Sequence, residues 1–187
     1  MKKYPKNQII KVNDQLMKKV ANKEGASFEK LYKLTSPAVF GLAYSIVGNQ
    51  VDAEDIVQEV YISIYEKAHQ YQSRGKAMAW IFTIARNHSL IRIRDRQKRS
   101  HQNLDDIYDI SIEDDIENIY HNETLIKTIL NILNEDERQI VVMHAMSNMK
   151  HKDIAKLLDM PISTVLSKYK RGLSKLRKEL EVNGYEK

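Results

Sequence analysis

Residues that end helices and form tight turns are scarce in this chain: it has six glycines and three prolines among 187 residues. An all-β sandwich or barrel needs frequent turn residues, so this scarcity argues against one. Apolar residues instead recur with helical spacing nearly everywhere, and we find no convincing pair of strands and no internal repeat. With 42% hydrophobic and 29% charged residues, the chain can bury a core and cover it with charge. The sequence therefore predicts an all-α fold.

The absence of cysteine removes several kinds of chemistry at once. Disulfide scaffolds, thiolate zinc sites and cysteine nucleophiles are excluded. Residues 1–22 open with basic side chains, but lysine and asparagine interrupt every apolar run, which is untypical of a secretion signal. No segment approaches the roughly 20 apolar residues of a membrane-spanning helix. We therefore expect a soluble protein of the cytoplasm.

Charge is distributed in three blocks. Arg86 to Arg99 contains six basic residues and one acid, Leu104 to Glu123 contains eight acids and neither lysine nor arginine, and Lys150 to Lys178 contains nine basic residues and two acids. Two basic blocks separated by an acidic one predict two modules and a linker. The predicted division is an N-terminal domain at residues 1–99, an acidic linker at 100–122 and a C-terminal domain at 123–187.

A first amphipathic helix is predicted to follow Asp52. This residue is a plausible N-cap, and Asp55 stands three positions later, as in a capping box. Ile56, Val60 and Ile64 recur every four residues and form one apolar face. The helix should bury that face in the domain core. The opposite face carries Asp55, Gln58, Glu59 and Ile62.

A second helix is predicted from about Lys76 to Gln97. Its apolar residues, Trp80 and Ile84 among them, cover more than half of its circumference. A helix of that kind packs between neighbours or has a second surface to cover.

The most specific local pattern is a helix-turn-helix between His151 and Leu176. Asp159, Met160 and Pro161 interrupt two amphipathic helices; Asp159 tolerates the positive φ that the turn requires, and Pro161 suits a helix entrance. The outward face of the second helix carries hydroxyls and cations, groups that donate to phosphates and to base edges in the major groove. An ordinary helical hairpin with a solvated basic face would show the same pattern. These outward residues are Ser163, Thr164, Ser167, Lys168, Lys170 and Arg171.

Taken together, four stretches resemble the extracytoplasmic-function (ECF) family of bacterial sigma factors. Each resembles a family segment, and they occur in the family's order. They are the opening helix (SFEKLY at 27–32 with VFGLAYSIVGN at 39–49), the polymerase-binding helix (DAEDIVQEVYISIY at 52–65), the −10 segment (71–96, with AWIFTIARN at 79–87) and the −35 domain (LNEDERQIVVMH at 133–144 with the helix-turn-helix).

The resemblance implies that the protein binds core RNA polymerase, at the coiled coil of the largest subunit and at the flap. Carboxylates around a central aliphatic residue suit a basic partner surface, whereas without the motif a solvated acidic face would be the simpler interpretation. The acidic linker would pass through the basic RNA-exit region. The implied docking residues are Asp52, Asp55, Gln58, Glu59 and Ile62.

The resemblance also implies that the N-terminal domain captures the melted −10 strand. Aromatic rings stack on unpaired bases and arginines neutralise phosphates. Family members flip a base into a pocket formed by the loop before Trp80, and Asn87 matches a position that lines it. Core packing is an equally good interpretation of Trp80, which lies on the apolar face. The implied −10 residues are Tyr71, Ser73, Arg74, Trp80, Arg86, Asn87, Arg92 and Arg94.

The −35 element would be read by the outward face of the helix-turn-helix, but three positions depart from the family pattern. Leu166 stands where a basic residue is usual, Lys170 where an aromatic residue or histidine is common, and Asp159 where the turn usually has glycine. These departures affect which promoter is read, and they leave the predicted class unchanged.

No enzyme, metal or cofactor motif is found in the sequence. It has no H-E-x-x-H, no P-loop and no G-x-G-x-x-G, and the acidic run 105–115 lacks the glycine and final glutamate of a calcium loop. We therefore expect no catalysis, no cofactor and no small-molecule substrate. A small DNA recombinase or nuclease would need a mixed fold, which the helical pattern disfavours. The main alternative is a stand-alone transcriptional regulator, which would have no use for the acidic docking face.

The resemblance implies promoter DNA as the second partner and, as a regulator, an anti-sigma factor that is often bound to a membrane. It also implies a response to stress or to an envelope signal.

Overall fold

The computed structural model describes residues 12–102 and 132–182, and all regular secondary structure in these two ranges is helical. This confirms the predicted all-α fold. The predicted acidic linker lies outside the described residues from position 103 onward. The helices are α1 (Asp14–Ala21), α2 (Gly25–Val47), α3 (Gln50–Lys67), α4 (Ala77–Gln102), α5 (Glu135–Ser147), α6 (His151–Leu158) and α7 (Ile162–Val182), with a 3₁₀ turn at Ala68–Gln70.

Helix α3 begins earlier than the sequence predicts. Its N-cap is Asn49, whose side-chain oxygen accepts a hydrogen bond from the backbone N–H of Asp52 at 2.8 Å. Gly48, with φ of 76°, ends α2 immediately before this cap. The prediction of Asp52 as the N-cap is therefore wrong: the left-handed glycine makes the turn, and the asparagine that follows it is the first side chain able to cap.

The N-terminal core is formed where α3 and α4 pack against α2. On α3, Ile56, Val60 and Ile64 are fully buried, which confirms the predicted apolar face. On α4, Ile81 and Phe82 are fully buried. Because α4 contacts both α2 and α3, it packs between neighbours as its broad apolar surface predicts.

In the C-terminal part, α6 and α7 form the predicted helix-turn-helix, supported by α5. Asp159 has φ of 54°, in the left-handed region expected from its place in the turn. The carbonyl of Pro161 accepts a hydrogen bond from the N–H of Val165 at 3.1 Å, so the proline stands at the entrance of α7. Val165 is fully buried and anchors α7 to the domain.

The two parts of the described chain pack against each other. Helix α2 contacts α5, and residues of both belong to one continuous apolar core. A Cβ added at Gly41 of α2 would lie 2.7 Å from the sulfur of Met146 of α5, so the glycine permits this close approach. Lys76, just before α4, forms an ion pair with Asp153 of α6 at 2.7 Å. None of the helices in the described ranges is both long and apolar enough to cross a bilayer.

Candidate interfaces for polymerase and promoter

The predicted docking face occupies one side of α3. Asp52, Asp55 and Glu59 are spaced three and four residues apart, which places their carboxylates on the same side of the helix. Gln58 is exposed beside them, and Ile62 has 60% of its surface exposed although it is apolar. The opposite side of α3 is buried in the core. The five predicted residues therefore lie together on a helix whose orientation is fixed by packing.

A single arginine of α4 binds all three carboxylates. Arg92 Nη1 donates to Asp52 Oδ1 at 2.7 Å and to Asp55 Oδ2 at 3.2 Å, and Arg92 Nη2 donates to Glu59 Oε1 at 2.8 Å. The Arg92 side chain is 24% exposed. The hydrogen bonds that Arg92 donates to these carboxylates, that to Asp52 first, raise the pKa of Arg92 and keep the guanidinium charged. The sequence predicts Arg92 as a −10 DNA contact, and that role stays a prediction beside these observed contacts.

Further groups complete this cluster at its two ends. Burial disfavours the charged form of Asp52, but hydrogen bonds from Asn49, Arg92 and Arg96 outweigh it, so the pKa of this carboxyl is lowered. At the other end, the Nδ1 of His88 lies 3.0 Å from Glu59 Oε2, and its Nε2 lies 3.0 Å from the Ser63 hydroxyl. The docking carboxylates are thus held by side chains from α4 along two turns of α3.

The loop before α4 is anchored by an acid from α1. The Tyr71 hydroxyl donates to Asp14 Oδ1 at 2.6 Å, and the Gly75 N–H donates to the same carboxylate at 3.1 and 3.2 Å. Burial and the hydrogen bond to Asp14 raise the pKa of Tyr71 to about 12. Between these two anchors, Ser73 and Arg74 are exposed. The loop is therefore fixed at both ends and presents its polar residues to solvent.

The remaining predicted −10 residues lie on α4. Trp80 is half-buried, with its ring 5.7 Å from that of Tyr71, so it belongs partly to the core and partly to the surface. Asn87 and Arg94 are exposed, whereas Arg86 is half-buried. The Nε of Arg86 is buried without a hydrogen-bond partner among the described residues.

The predicted −35 residues share one side of α7. Ser163, Lys170 and Arg171 are exposed, and Thr164 is half-buried. The exposed Ser167 hydroxyl donates to the Thr164 carbonyl at 2.9 Å. Lys168 differs from the others because it forms an ion pair with Asp136 of α5 at 2.7 Å and is only 20% exposed.

A buried carboxylate joins α5 to α7 beneath this face. Glu137 is 1% exposed, and it forms a capping box with Asn134 at the start of α5. Its Oε2 accepts a hydrogen bond from Lys175 Nζ at 2.6 Å, and Arg171 Nε lies 4.0 Å from Oε1. Burial would raise the pKa of Glu137, but the hydrogen bonds from Lys175 and Asn134 lower it. Arg171, predicted to contact DNA, is therefore also close to this framework carboxylate.

Three aromatic rings meet where α5, α6 and α7 converge. The rings of His144 and His151 stack at 4.4 Å, and that of Tyr169 packs edge-on against both, at 4.9 and 4.7 Å. His144 Nδ1 lies 2.9 Å from the carbonyl of Met149. Burial, and then the proximity of His144, lower the pKa of His151. Within the described ranges, no three acids, histidines or cysteines are grouped so as to hold a metal ion.

Sequence reasoning missed Asp14 and His88 as contributors to these sites. Asp14 is 57 positions from Tyr71, and His88 is 29 from Glu59, so no local pattern connects either pair. The only available signal was the complementary charge of the acidic α3 face and the basic α4 segment.

Comparison with known proteins defines the class to which this fold and these faces belong. The model of sigma-70 region 2 matches residues 31–99, and that of sigma-70 region 4 matches residues 123–176. The chain belongs to the sigma-70 family of transcription initiation factors, which are polymerase subunits rather than enzymes. Within that family it is an ECF sigma factor, as its curated relatives indicate. These matches favour a sigma factor over a stand-alone transcriptional regulator.

Among these relatives, the ECF RNA polymerase sigma factor SigE of Mycolicibacterium smegmatis is 31% identical over 156 residues, covering 81% of this chain and 60% of its own length. SigK of Mycobacterium tuberculosis is 24% identical over 182 residues, covering 91% of this chain and 94% of its own. Among solved structures, the sigma factor RpoE of Bartonella quintana, in complex with the anti-sigma factor NepR, matches with a TM-score of 0.66 and 24% identity over 83% of this chain and 97% of that one. This structural similarity shows that the two proteins share a fold.

Proposed function

We propose that this ECF sigma factor docks on core RNA polymerase through the exposed face of α3 and then reads promoter DNA at two places. The −35 duplex would bind the outward side of α7, and the melted −10 strand would bind the loop at residues 71–76 and the adjacent side of α4. The observation that carries the proposal is the α3 face itself. Three carboxylates and the exposed Ile62 lie together on a helix whose opposite side is buried.

The docking chemistry suits a basic partner with an apolar centre. Asp55 and Glu59 remain 51% and 43% exposed, so basic side chains of a partner can reach them. Ile62 supplies the apolar contact that would exclude water from the centre of such an interface. The coiled coil of the largest polymerase subunit is the partner that we propose for this face, with the flap contacting the C-terminal domain.

For the −10 strand, the anchored loop supplies a preformed site. Because Asp14 holds both Tyr71 and Gly75, Ser73 and Arg74 are presented at fixed positions. Flipping a base out of the stack costs a few kcal/mol of stacking free energy, and contacts in the pocket must compensate for this cost. Trp80, half-buried beside Tyr71, can offer a ring edge while remaining in the core. Asn87 would contact the base, and Arg86 and Arg94 the phosphates.

For the −35 duplex, α7 would serve as the recognition helix. Its exposed Ser163, Ser167, Lys170 and Arg171 are able to donate to phosphates and base edges, and Thr164 lies beside them. Lys168 would contribute to DNA binding in two ways: its charge would attract phosphates, and its ion pair with Asp136 would hold α7 against α5. Leu166, 40% exposed on the same helix, would present an apolar surface to the groove.

Reading both elements at once requires the two parts of the chain to separate. The elements are about 25 base pairs apart, which corresponds to about 85 Å along duplex DNA. Helices α2 and α5 are in contact in the described chain, so this contact must break. The 29 residues at 103–131 can reach about 100 Å at full extension, which is enough for the separation.

Regulation and location follow by analogy with relatives. The RpoE structure contains an anti-sigma factor, and we propose that a comparable protein, in some cases membrane-bound, holds this chain inactive until a stress or envelope signal arrives. The site of action would be the cytoplasm, where polymerase and promoters are found.

Run-off transcription on a randomised promoter library tests the proposal. Core polymerase with this chain should select templates that share two elements at a fixed spacing, whereas core alone should show no such selection. The Ser163→Ala variant serves as a matched control, because it should alter the upstream element and leave the downstream one unchanged. Failure to enrich any two-element template would overturn the proposal.

A further inference from the structure

The contacts of Arg92 carry an inference that rests on the proposed docking function and deepens it. We propose that Arg92 is the positioning residue of the docking face: it gathers Asp52, Asp55 and Glu59 into one ordered array for polymerase. This role differs from the DNA contact that the sequence predicts for it. Arg92 acts through the carboxylates and need not touch the polymerase itself.

The geometry of the Arg92 side chain suits this role. The guanidinium binds three carboxylates through its two terminal nitrogens, at 2.7, 3.2 and 2.8 Å. A planar guanidinium offers several donors in a rigid arrangement, which an ammonium group does not. These distances leave little freedom to the three acids. The side chain is also 24% exposed, well below the 46% of Arg96 on the next turn.

The positive charge of Arg92 also offsets the repulsion among the three acids. Three carboxylates on one side of a helix repel each other, and without a shared cation their side chains would spread into solvent. Arg92 and Arg96 supply two positive charges against the three negative ones, so the array retains a net negative charge towards a basic partner. Ordering these side chains before docking reduces the entropy that is lost when polymerase binds.

Two of the three acids stay accessible to a partner. Asp55 and Glu59 remain about half-exposed while bound to Arg92. A partner can therefore bind these acids without displacing the arginine. His88 holds the second oxygen of Glu59, so α4 fixes this carboxylate from two sides.

The test measures the affinity of the full chain for core polymerase, with an amino-terminal fluorophore as the probe. Arg92→Ala should weaken binding about tenfold or more, because charge-assisted hydrogen bonds that order three acids are lost. Arg92→Lys should recover part of the affinity, since it restores the charge but not the planar arrangement of donors. Lys98→Ala, which removes an exposed cation from the same helix, is the matched control and should bind core like the wild type.

A second measurement separates positioning from DNA contact. At saturating core polymerase, the affinity for a pre-melted −10 template should be unchanged in Arg92→Ala and reduced in Arg94→Ala. Thermal unfolding of each variant checks the fold. If Arg92→Ala does not fold, the inference is judged on Arg92→Lys, which must lose core affinity and keep template affinity.

Three outcomes overturn the inference. Unchanged core affinity with weaker template binding would make Arg92 a DNA contact, and tighter core binding would make it a competitor of polymerase. Unchanged values in both measurements would leave it a structural residue. The Glu59→Lys variant distinguishes these failures from a failure of the proposed function. If this charge reversal also leaves core binding intact, the docking face itself is wrongly placed.

Discussion

Ion pairs between basic side chains and carboxylates have different roles in the two halves of the molecule. In the N-terminal half, Arg92 binds carboxylates of which two are about half-exposed, at the face that we assign to polymerase. In the C-terminal half, Lys175 and Arg171 approach Glu137, which is 1% exposed and belongs to the capping box of α5. The first cluster orders a surface, whereas the second fixes the framework beneath one. Burial of the carboxylate, rather than its charge, distinguishes the two roles.

The largest expected effect is on the exposed cluster. Glu59→Lys should weaken core-polymerase binding at least about a hundredfold, because it places a cation where the partner is basic and next to Arg92. The protein should still fold, since the side chain is 43% exposed, and lose only the modest stability that the contacts with Arg92 and His88 provide. Binding is measured by fluorescence anisotropy against core polymerase.

Glu54→Lys is the matched control for this charge reversal. Glu54 also lies on α3, but it accepts a hydrogen bond from Gln50 and points to a different side of the helix from Glu59. It should bind core with nearly wild-type affinity. Equal losses in the two variants would show that the acidity of α3 matters rather than the Asp52–Glu59 face.

The buried cluster should respond in stability rather than in docking. Glu137→Ala should lower the free energy of unfolding by about 2 kcal/mol, because the Glu137 carboxylate loses both the hydrogen bond from the Asn134 N–H and the Lys175 ion pair. Glu135→Gln, which removes the charge of an exposed acid in the same turn but keeps an acceptor for the Gln139 amide, should cost less than about 0.5 kcal/mol. Chemical denaturation measures both. A Glu137→Ala protein as stable as the wild type would remove the framework role.

Two nearby cations of α7 differ in exposure and should differ in their effect on the salt dependence of DNA binding. Arg171 is 64% exposed, whereas Lys168 is 20% exposed and paired with Asp136. Arg171→Ala should therefore lower the slope of log affinity against log salt, for holoenzyme on promoter DNA, by about one. Lys168→Ala should change that slope less. The assignment of Arg171 to the DNA interface is contradicted if the slope is unaltered.

The smallest effect concerns the histidine stack. Burial lowers the pKa of His151 from its usual 6.5, so the His151 ring takes up a proton more readily in the unfolded chain than in the folded one. The stability that the neutral ring contributes is present above pH 6.5 and is lost as the pH falls further. His151→Phe keeps a ring against Tyr169 but cannot titrate. The melting temperature of the variant should fall less between pH 7.5 and pH 5.5 than that of the wild type. An equal fall in both proteins would exclude His151 as the cause of the pH dependence.

Local patterns in the sequence predict the fold and the surfaces well, but they do not predict which charges meet. The buried stripe of α3 and the positive φ of Asp159 depend on neighbours within a few residues, so periodicity and turn chemistry suffice. The N-cap at Asn49 was missed because Asn49 and Asp52, three positions apart, are both able to cap, and the left-handed Gly48 before Asn49 decides between them. Arg92 and Asp14 bind partners 33 to 61 positions away, and only the packed helices bring these together.

The most direct test of the account is a gel-shift assay on a selected promoter, with and without core polymerase. We propose that the α3 face binds a basic protein surface, and in the described chain α2 contacts α5, which keeps the two proposed DNA-binding parts together. The account predicts weak or no sequence-specific shift by the chain alone and a specific shift once core is added. A tight, specific complex formed by the chain alone would contradict it.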